Sequence, residues 1–256
     1  MEKGFGVSCD EEDIYLYNIA PDNLPLAEGF DARETHRFAP SPDLLARHPK
    51  LLWVKCHLIV DNFCHYGTMA KPVGKFSPAE KRGYTYRRGA DLIPEVKRYC
   101  AAVREPVDGH TAHYLAHVLV EIAVDYAIYL DDRSVPCIFR DAQEGISAEQ
   151  AREYAESLSA LYGCTPAMIQ GATDAAKKFY GESHNIDQLF LSGRTKIVLR
   201  KLNLSYGSKN VERTKALILQ ATEKVSDYMK FIEDSGKLLA DVSDWGGEDP
   251  LESGPA

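Results

Sequence analysis

Residues 114–130 read YLAHVLVEIAVDYAIYL, and this stretch decides the fold. Of its 17 residues, only His117, Glu121 and Asp125 are not apolar. These three recur at every fourth position, which is the period of an α-helix and not the two-residue period of a strand. A helix that is apolar on almost every face is typical of a protein core. The stretch therefore predicts a buried helix, within a helical segment over residues 110–132, that carries one narrow polar stripe.

The stripe needs a compensating positive charge. Burying a carboxylate without a partner costs several kcal/mol, or the group stays protonated. A metal ion bound by a histidine and a carboxylate supplies that charge, and the sequence predicts His117 and Glu121 as ligands. His113 begins the same stripe one turn earlier. For His113 and Asp125, three roles remain open: metal ligand, partner of a ligand, or ordinary polar position on the helix.

A second apolar run repeats this pattern. The sequence LLWVKCHLIVDNFCHYG spans about residues 50–66 and ends at Gly67, with His57, Asp61 and His65 at successive steps of four. On a helix, His57 and His65 lie about 12 Å apart along the axis, too far for one ion with ligand bonds near 2.1 Å. We therefore expect two neighbouring ions with Asp61 between these histidines, as in hydrolytic metal sites.

Composition defines the class of protein. The chain has 256 residues, of which 45% are hydrophobic and 27% charged, as in ordinary globular proteins. Helix start signals recur after residue 147, at Ser147 with Gln150 and at Thr165 with Pro166, and further helices are predicted over 185–201 and 208–240. Hairpin signals are almost absent. These features predict an all-α, multi-helix bundle, with one domain over residues 1–245 and a flexible tail over 246–256.

Charge and cysteine usage predict location and partners. The net charge is −8, which disfavours specific nucleic-acid binding. The N-terminus has no uninterrupted apolar stretch, no apolar run reaches the about 18 residues of a membrane span, and six cysteines are scattered. We expect a cytoplasmic protein without a transmembrane segment. The oligomeric state is left open.

A basic segment lies between the two apolar runs. Residues 67–90 are predicted to form a loop, and positions 71–90 carry a net charge of +5. With its tyrosines, the part reading GYTYRRG is interpreted either as a mobile lid that meets phosphate or as a solvated basic loop. The arginines predicted to contact a substrate phosphate are Arg82, Arg87 and Arg88.

The order of the motifs resembles that of zinc-dependent phospholipase C, whose all-helical fold is shared with single-strand-specific nucleases. Asp22 ends the short sequence Ala-Pro-Asp. The motif HxxxDxxxH follows at residues 57–65, and the motif HxxxE follows at residues 117–121. The resemblance implies a phospholipase C-like bundle with a cluster of two or three zinc ions between core helices. By composition alone, Asp22 and His36 are loop residues within a Pro-rich segment, residues 1–50, of loops and short helical turns. The resemblance implies that His57 and Asp61 ligate the closely spaced part of the cluster, and that His65, His117 and Glu121 hold the neighbouring ion. It makes Asp22 a ligand or general base beside the attacking water, and His36 a further ligand.

The leading hypothesis is a metal-dependent hydrolase of a small-molecule or lipid phosphoester, in which a metal-activated water is the nucleophile. Iron and manganese are the alternative metals. A second hypothesis is a non-hydrolytic helical di-metal protein, ferritin-like or hemerythrin-like, that binds iron. A third is a scaffold whose histidine stripes make only hydrogen bonds to carboxylates.

Overall fold

A computed structural model describes residues 13–69, 82–103, 106–181, 186–202 and 204–242. Every regular element within these ranges is a helix, which confirms the predicted all-α class. None of the helices in them is long and apolar enough to cross a bilayer.

The described elements follow one another along the chain as α-helices and two short 3-10 helices. The α-helices are α1 Ile14–Asn23, α2 Ala32–Thr35, α3 Pro42–Arg47, α4 Leu52–Tyr66, α5 Tyr84–Ala90, α6 Ile93–Val103, α7 Gly109–Asp131, α8 Val135–Gly145, α9 Ala148–Tyr162, α10 Pro166–Gly181, α11 Ile186–Lys201, α12 Ser208–Glu223 and α13 Tyr228–Val242. The 3-10 helices are Leu24–Leu26, after α1, and Pro49–Leu51, before α4.

The chain divides into two compact units, each built from segments that are separate in sequence. Of the described residues, the first unit takes 13–61, 134–181 and 237–242, and the second takes 62–69, 82–103, 106–133, 186–202 and 204–236. Helix α4 therefore begins in the first unit and ends in the second. The single domain predicted over residues 1–245 stays a prediction, and the tail predicted over 246–256 lies outside the described residues.

The core of the first unit forms around α1. Tyr17 of α1 is fully buried, and its ring meets that of Tyr154 of α9 edge-on, with ring centroids 5.0 Å apart. Such an edge-to-face pair contributes about 0.5–1.5 kcal/mol beyond the burial of its area. An ion pair lies beside this core, since Lys50 donates to buried Asp13 at 2.7 Å and to Glu153 at 3.1 Å. The packing holds α1, and with it Asp22, in a fixed position.

The second unit is organised around α7, the helix predicted from residues 114–130. Leu119, Val120 and Ala123 are almost wholly buried in its core. Helices α5, α6, α11 and α12 all pack against α7. Its N-terminus is capped by Asp108, whose side chain accepts a hydrogen bond of 2.7 Å from the backbone of Thr111. The apolar stretch therefore serves as the central helix of its unit.

The predicted helix starts in the second half of the sequence are confirmed. Ser147 and Gln150 form a reciprocal capping box at the start of α9. Thr165 accepts a hydrogen bond from the backbone of Met168, and Pro166 is the first residue of α10. Hydrogen bonds between residues close in sequence determine where these helices begin, so the helix starts can be predicted from the sequence.

The loop predicted over residues 67–90 is wrong in its last part. Residues 84–90 form α5, in which Tyr84 and Tyr86 are each 6% exposed. Gly89 lets α5 approach α7 closely, because a Cβ at this position would lie 3.1 Å from the backbone nitrogen of His117. Tertiary burial outweighs the weak helix propensity of a segment that contains glycine, threonine and tyrosine.

Two further predictions need correction. Residues 208–240 are not one helix, because a turn over residues 224–227 separates α12 from α13. Asp22 is not a loop residue, since it lies in the last turn of α1, one residue after Pro21. Pro21 is buried, and packing of α1 against its neighbours maintains the helix despite the missing backbone donor.

Candidate metal centres

The described structure contains two groups of side chains that could each hold a metal ion. We call Asp22, His36 and His57 the first triad, and His65, His117 and Glu121 the second triad. Within each triad, every residue offers one ligand atom that lies within 4.8 Å of the other two. The first triad lies within the first unit and the second within the second unit.

The first triad joins three elements of its unit. Asp22 comes from α1, His36 follows α2 directly, and His57 lies in α4. The Nε2 atoms of His36 and His57 are 3.2 Å apart, and the Asp22 carboxylate lies 3.4 Å from the first and 3.9 Å from the second. Two ligand atoms of one tetrahedral zinc ion, bonded at about 2.1 Å each, lie about 3.4 Å apart. The spacing therefore fits three ligands of one ion.

The tautomer of His36 supports this arrangement. Its Nδ1 lies 2.8 Å from the carbonyl oxygen of Ala32, so Nδ1 carries the proton and donates to that oxygen. In the neutral ring, the lone pair of Nε2 then faces His57 and Asp22. A backbone hydrogen bond of this kind is the usual means of orienting a metal-binding histidine.

The two imidazoles of the first triad differ in pKa. Burial lowers the pKa of His57, and the nearby carboxylates of Asp22 and Asp61 offset this effect only in part. Burial also acts to lower the pKa of His36, but a hydrogen bond that Nε2 of the protonated ring donates to Asp22, together with the charges of Asp22 and Asp61, outweighs burial and raises that pKa. His57 is thus kept neutral, which is the form that binds metal.

Asp61, the third predicted ligand on α4, lies near the first triad. Its charge acts on both imidazoles of the first triad, so it lies near them. Neither of the two triads found among the described residues includes it. Its prediction as a ligand stays a prediction, and its position is that of a nearby negative charge.

The second triad joins the end of α4 to one face of α7. Nε2 of His65 lies 2.6 Å from Oε1 of Glu121, and Nε2 of His117 lies 3.8 Å from the same oxygen. The His117 side chain is only 8% exposed, whereas Glu121 is 36% exposed. The contact of 2.6 Å is also the length of a strong hydrogen bond, as the scaffold hypothesis expects. The donor set of two imidazoles and one carboxylate is that of catalytic zinc sites.

Aromatic rings surround the histidines of the second triad. The ring of Tyr86 stacks on His117, with centroids 4.4 Å apart and planes 11° apart. Tyr114 meets His117 edge-on at 5.0 Å. The sequence interpretation missed Tyr86 because it placed this residue in a loop. The spacing of Tyr86 and Gly89, three residues apart and so on one helix face, is the signal that could have indicated a packed helix.

The basic segment is only partly described, and its arginines differ. Arg82 and Arg87 are exposed, whereas Arg88 forms an ion pair with Asp227. The lid interpretation of GYTYRRG is wrong, since Tyr84 and Tyr86 are buried in α5. The lysines that contribute to the net positive charge of residues 71–90, Lys71, Lys75 and Lys81, lie outside the described residues.

The structure shows the surroundings of His113 and Asp125, the two residues of the α7 stripe whose roles the sequence leaves open. Asp125 accepts from Arg194 at 2.6 Å, so its charge is compensated by an arginine of α11. His113 is half-buried. Among the described residues neither belongs to a triad.

Comparison with known protein families, with curated proteins and with solved structures finds no match to this chain. The resemblance to zinc-dependent phospholipase C therefore remains a hypothesis based on the order of motifs. The all-α fold and the two triads are properties of the chain itself.

Proposed function

We propose that this protein is a metal-dependent hydrolase of phosphoesters, similar in kind to zinc-dependent phospholipase C. The observation that carries the proposal is the presence of two triads, each with two imidazoles and one carboxylate. The triads bring together residues as far as 56 positions apart in sequence. Chance pairing of one histidine with one carboxylate is common, but two sets with the same donor composition favour metal binding.

The donor chemistry favours zinc. Imidazole and carboxylate ligands suit zinc well, and two histidines with one carboxylate leave a coordination position for water. Zinc bound there would lower the pKa of a water molecule toward 7 and stabilise charge on phosphoryl oxygens. Iron or manganese would fit the same donors, and the number of ions, two or three, belongs to the proposal.

The residues of the two triads and Asp61 have separate roles in the proposed reaction. His36 and His57 hold one ion together with Asp22, whose side chain is 61% exposed and so accessible to substrate and water. Asp22 therefore serves as ligand or as general base. His65, His117 and Glu121 hold a second ion, and the Asp61 carboxylate lowers the cost of positive charge at the first triad.

The substrate is a small-molecule or lipid phosphoester. Arg82 and Arg87 are exposed, in a chain whose net charge is −8. Arginine suits bidentate contact with phosphate. Arg88 is less exposed and pairs with Asp227, so we assign phosphate contact to the two exposed arginines, Arg82 and Arg87.

The test combines metal analysis with an activity assay. Apoprotein prepared with a chelator is reloaded with zinc, and bound zinc is counted by mass spectrometry while hydrolysis of bis(p-nitrophenyl) phosphate is followed. We expect His57→Ala and His117→Ala each to lose one ion and most of the activity. His110→Ala, an exposed histidine of α7, is the matched control and should keep both.

The outcomes separate the three hypotheses. Metal binding without hydrolysis of any phosphoester tested, with a preference for iron, would favour the non-hydrolytic iron-binding protein. If the protein binds no metal and the triad variants only lose stability, the histidines make hydrogen bonds alone and the proposal is wrong.

A further inference from the structure

Tyr86 lies against both imidazoles of the second triad. Its ring is parallel to His117 at 4.4 Å and meets the ring of His65 at 6.0 Å, with an angle of 64° between the planes. The residue is 6% exposed, so its position is fixed by surrounding atoms. Tyr86 thus contacts two proposed ligands while supplying neither imidazole nor carboxylate.

Helix α5 is attached to both elements that carry these imidazoles. At the end of α4, the backbone nitrogen of Gly83 donates to the carbonyl of His65 at 3.0 Å, and Thr85 donates to the carbonyl of Cys64 at 3.1 Å. On the other side, Gly89 packs against the backbone of α7 at His117. Three successive contacts therefore hold the Tyr86 ring between α4 and α7.

We propose that Tyr86 is a positioning residue, which fixes the ring planes of His117 and His65 so that their nitrogens face one ion. This inference rests on the proposal that the second triad binds metal. A histidine side chain on a helix can rotate about its terminal torsion, and a ring stacked on a buried tyrosine has lost most of that freedom before the ion arrives. Groups that orient metal ligands typically change metal affinity by about 10- to 100-fold.

The same helix offers a matched control. Tyr84 is also 6% exposed and also stacks on another ring, but its partner is Phe231, at 4.7 Å, and not a histidine. Replacing Tyr84 or Tyr86 by leucine removes the same atoms from equally buried positions of α5. A purely structural effect on α5 should appear in both variants, whereas an effect on the ligands should appear only at Tyr86.

The experiment measures zinc affinity in Tyr86→Leu, Tyr86→Phe and Tyr84→Leu. Apoprotein is titrated with zinc against a chromophoric chelator, at a temperature where each apoprotein is folded by circular dichroism. We expect Tyr86→Leu to weaken one zinc site by about 10-fold or more, and Tyr86→Phe, which keeps the stacking face, to bind as the unsubstituted protein does. Tyr84→Leu should lose thermal stability but keep its zinc affinity.

Cobalt gives a second readout that a merely structural role would not change. Cobalt bound in place of zinc absorbs visible light according to its ligand geometry, and we expect Tyr86→Leu alone to alter that spectrum. If Tyr86→Leu does not fold, Tyr86→Met, which keeps an apolar side chain without a flat face, replaces it with the same expectation.

Wild-type affinity and spectrum in the folded Tyr86→Leu protein, or an equal loss of affinity in Tyr84→Leu, would overturn the inference about Tyr86 alone. If the unsubstituted protein binds no metal, or if His117→Ala leaves the number of bound ions unchanged, the proposed function fails at this triad and the positioning role fails with it.

Discussion

Gly83 is the position where a single added methyl group should disturb the structure most clearly. Its backbone angles, φ −63° and ψ 167°, are available to any residue, so the requirement for glycine comes from space alone. An alanine there would place its Cβ well under 3.0 Å from the carbonyl oxygen of Cys64 and from the carbonyl carbon of His65. These are backbone atoms of α4, so no side-chain rotation can relieve the clash, and α5 must move away from α4.

The cost follows from the bonds that this movement breaks. Gly83 donates to His65 at 3.0 Å and Thr85 donates to Cys64 at 3.1 Å. At about 0.5–1.5 kcal/mol net for each hydrogen bond, the loss of both destabilises the fold by about 1–3 kcal/mol. For a chain of this size, each kcal/mol lowers Tm by about 2–4 °C, so Gly83→Ala should lower Tm by about 2–12 °C.

Thermal unfolding followed by circular dichroism at 222 nm measures this effect. The matched control is Gly109→Ala, at the first position of α7, because nothing lies within 4 Å of a Cβ added there. Alanine is a better helix former than glycine, so Gly109→Ala should leave Tm unchanged or raise it slightly. An unchanged Tm in Gly83→Ala would refute the close approach of α5 to the end of α4.

Three further predictions concern single side chains. Gly89→Ala should lower zinc affinity at the second triad in a chelator titration, since its Cβ would lie 3.1 Å from the backbone nitrogen of His117 and displace it; unchanged affinity would contradict this. Lys50→Met should lower the free energy of unfolding in urea by about 3 kcal/mol, because the carboxylate of Asp13, a side chain that is 1% exposed, loses its ion pair with Lys50. Adding Asp13→Asn should recover part of the lost stability. Cys56 is 1% exposed and burial raises the pKa of its thiol to about 12, so the group is neutral at pH 8. In a variant whose other five cysteines are replaced by serine, Cys56 should react with Ellman's reagent only after unfolding, and reaction in the native state would show that α4 opens.

The features of the fold that are correctly predicted from the sequence depend on residues close together in the chain. The four-residue spacing of His117 and Glu121, on an otherwise apolar stretch, is a property of one helix, and the helix is present at Gly109–Asp131. The capping box at Ser147 is equally local. In such cases the side chains that determine the structure lie within one or two turns of each other, so reading the sequence in order is sufficient.

The errors come from contacts between distant parts of the chain. Tyr86 is buried because α5 packs against α7, and Arg88 pairs with Asp227, 139 residues further on. Asp22 lies in a helix because α1 is packed into the core of its unit, although Pro21 and Pro25 suggest a loop. No local pattern contains these partners, and burial by tertiary packing outweighs the weak preference of each short segment.

The interleaved composition of the two units has a consequence for biosynthesis. A ribosome that has reached residue 133 has already made all six triad residues, the last of which is Glu121. The described residues of both units that follow position 133 have yet to emerge. The nascent chain thus carries its proposed ligands before either unit has its full set of helices. A gene truncated after the codon for residue 133 would encode a fragment with complete motifs but without the helices that orient the ligands.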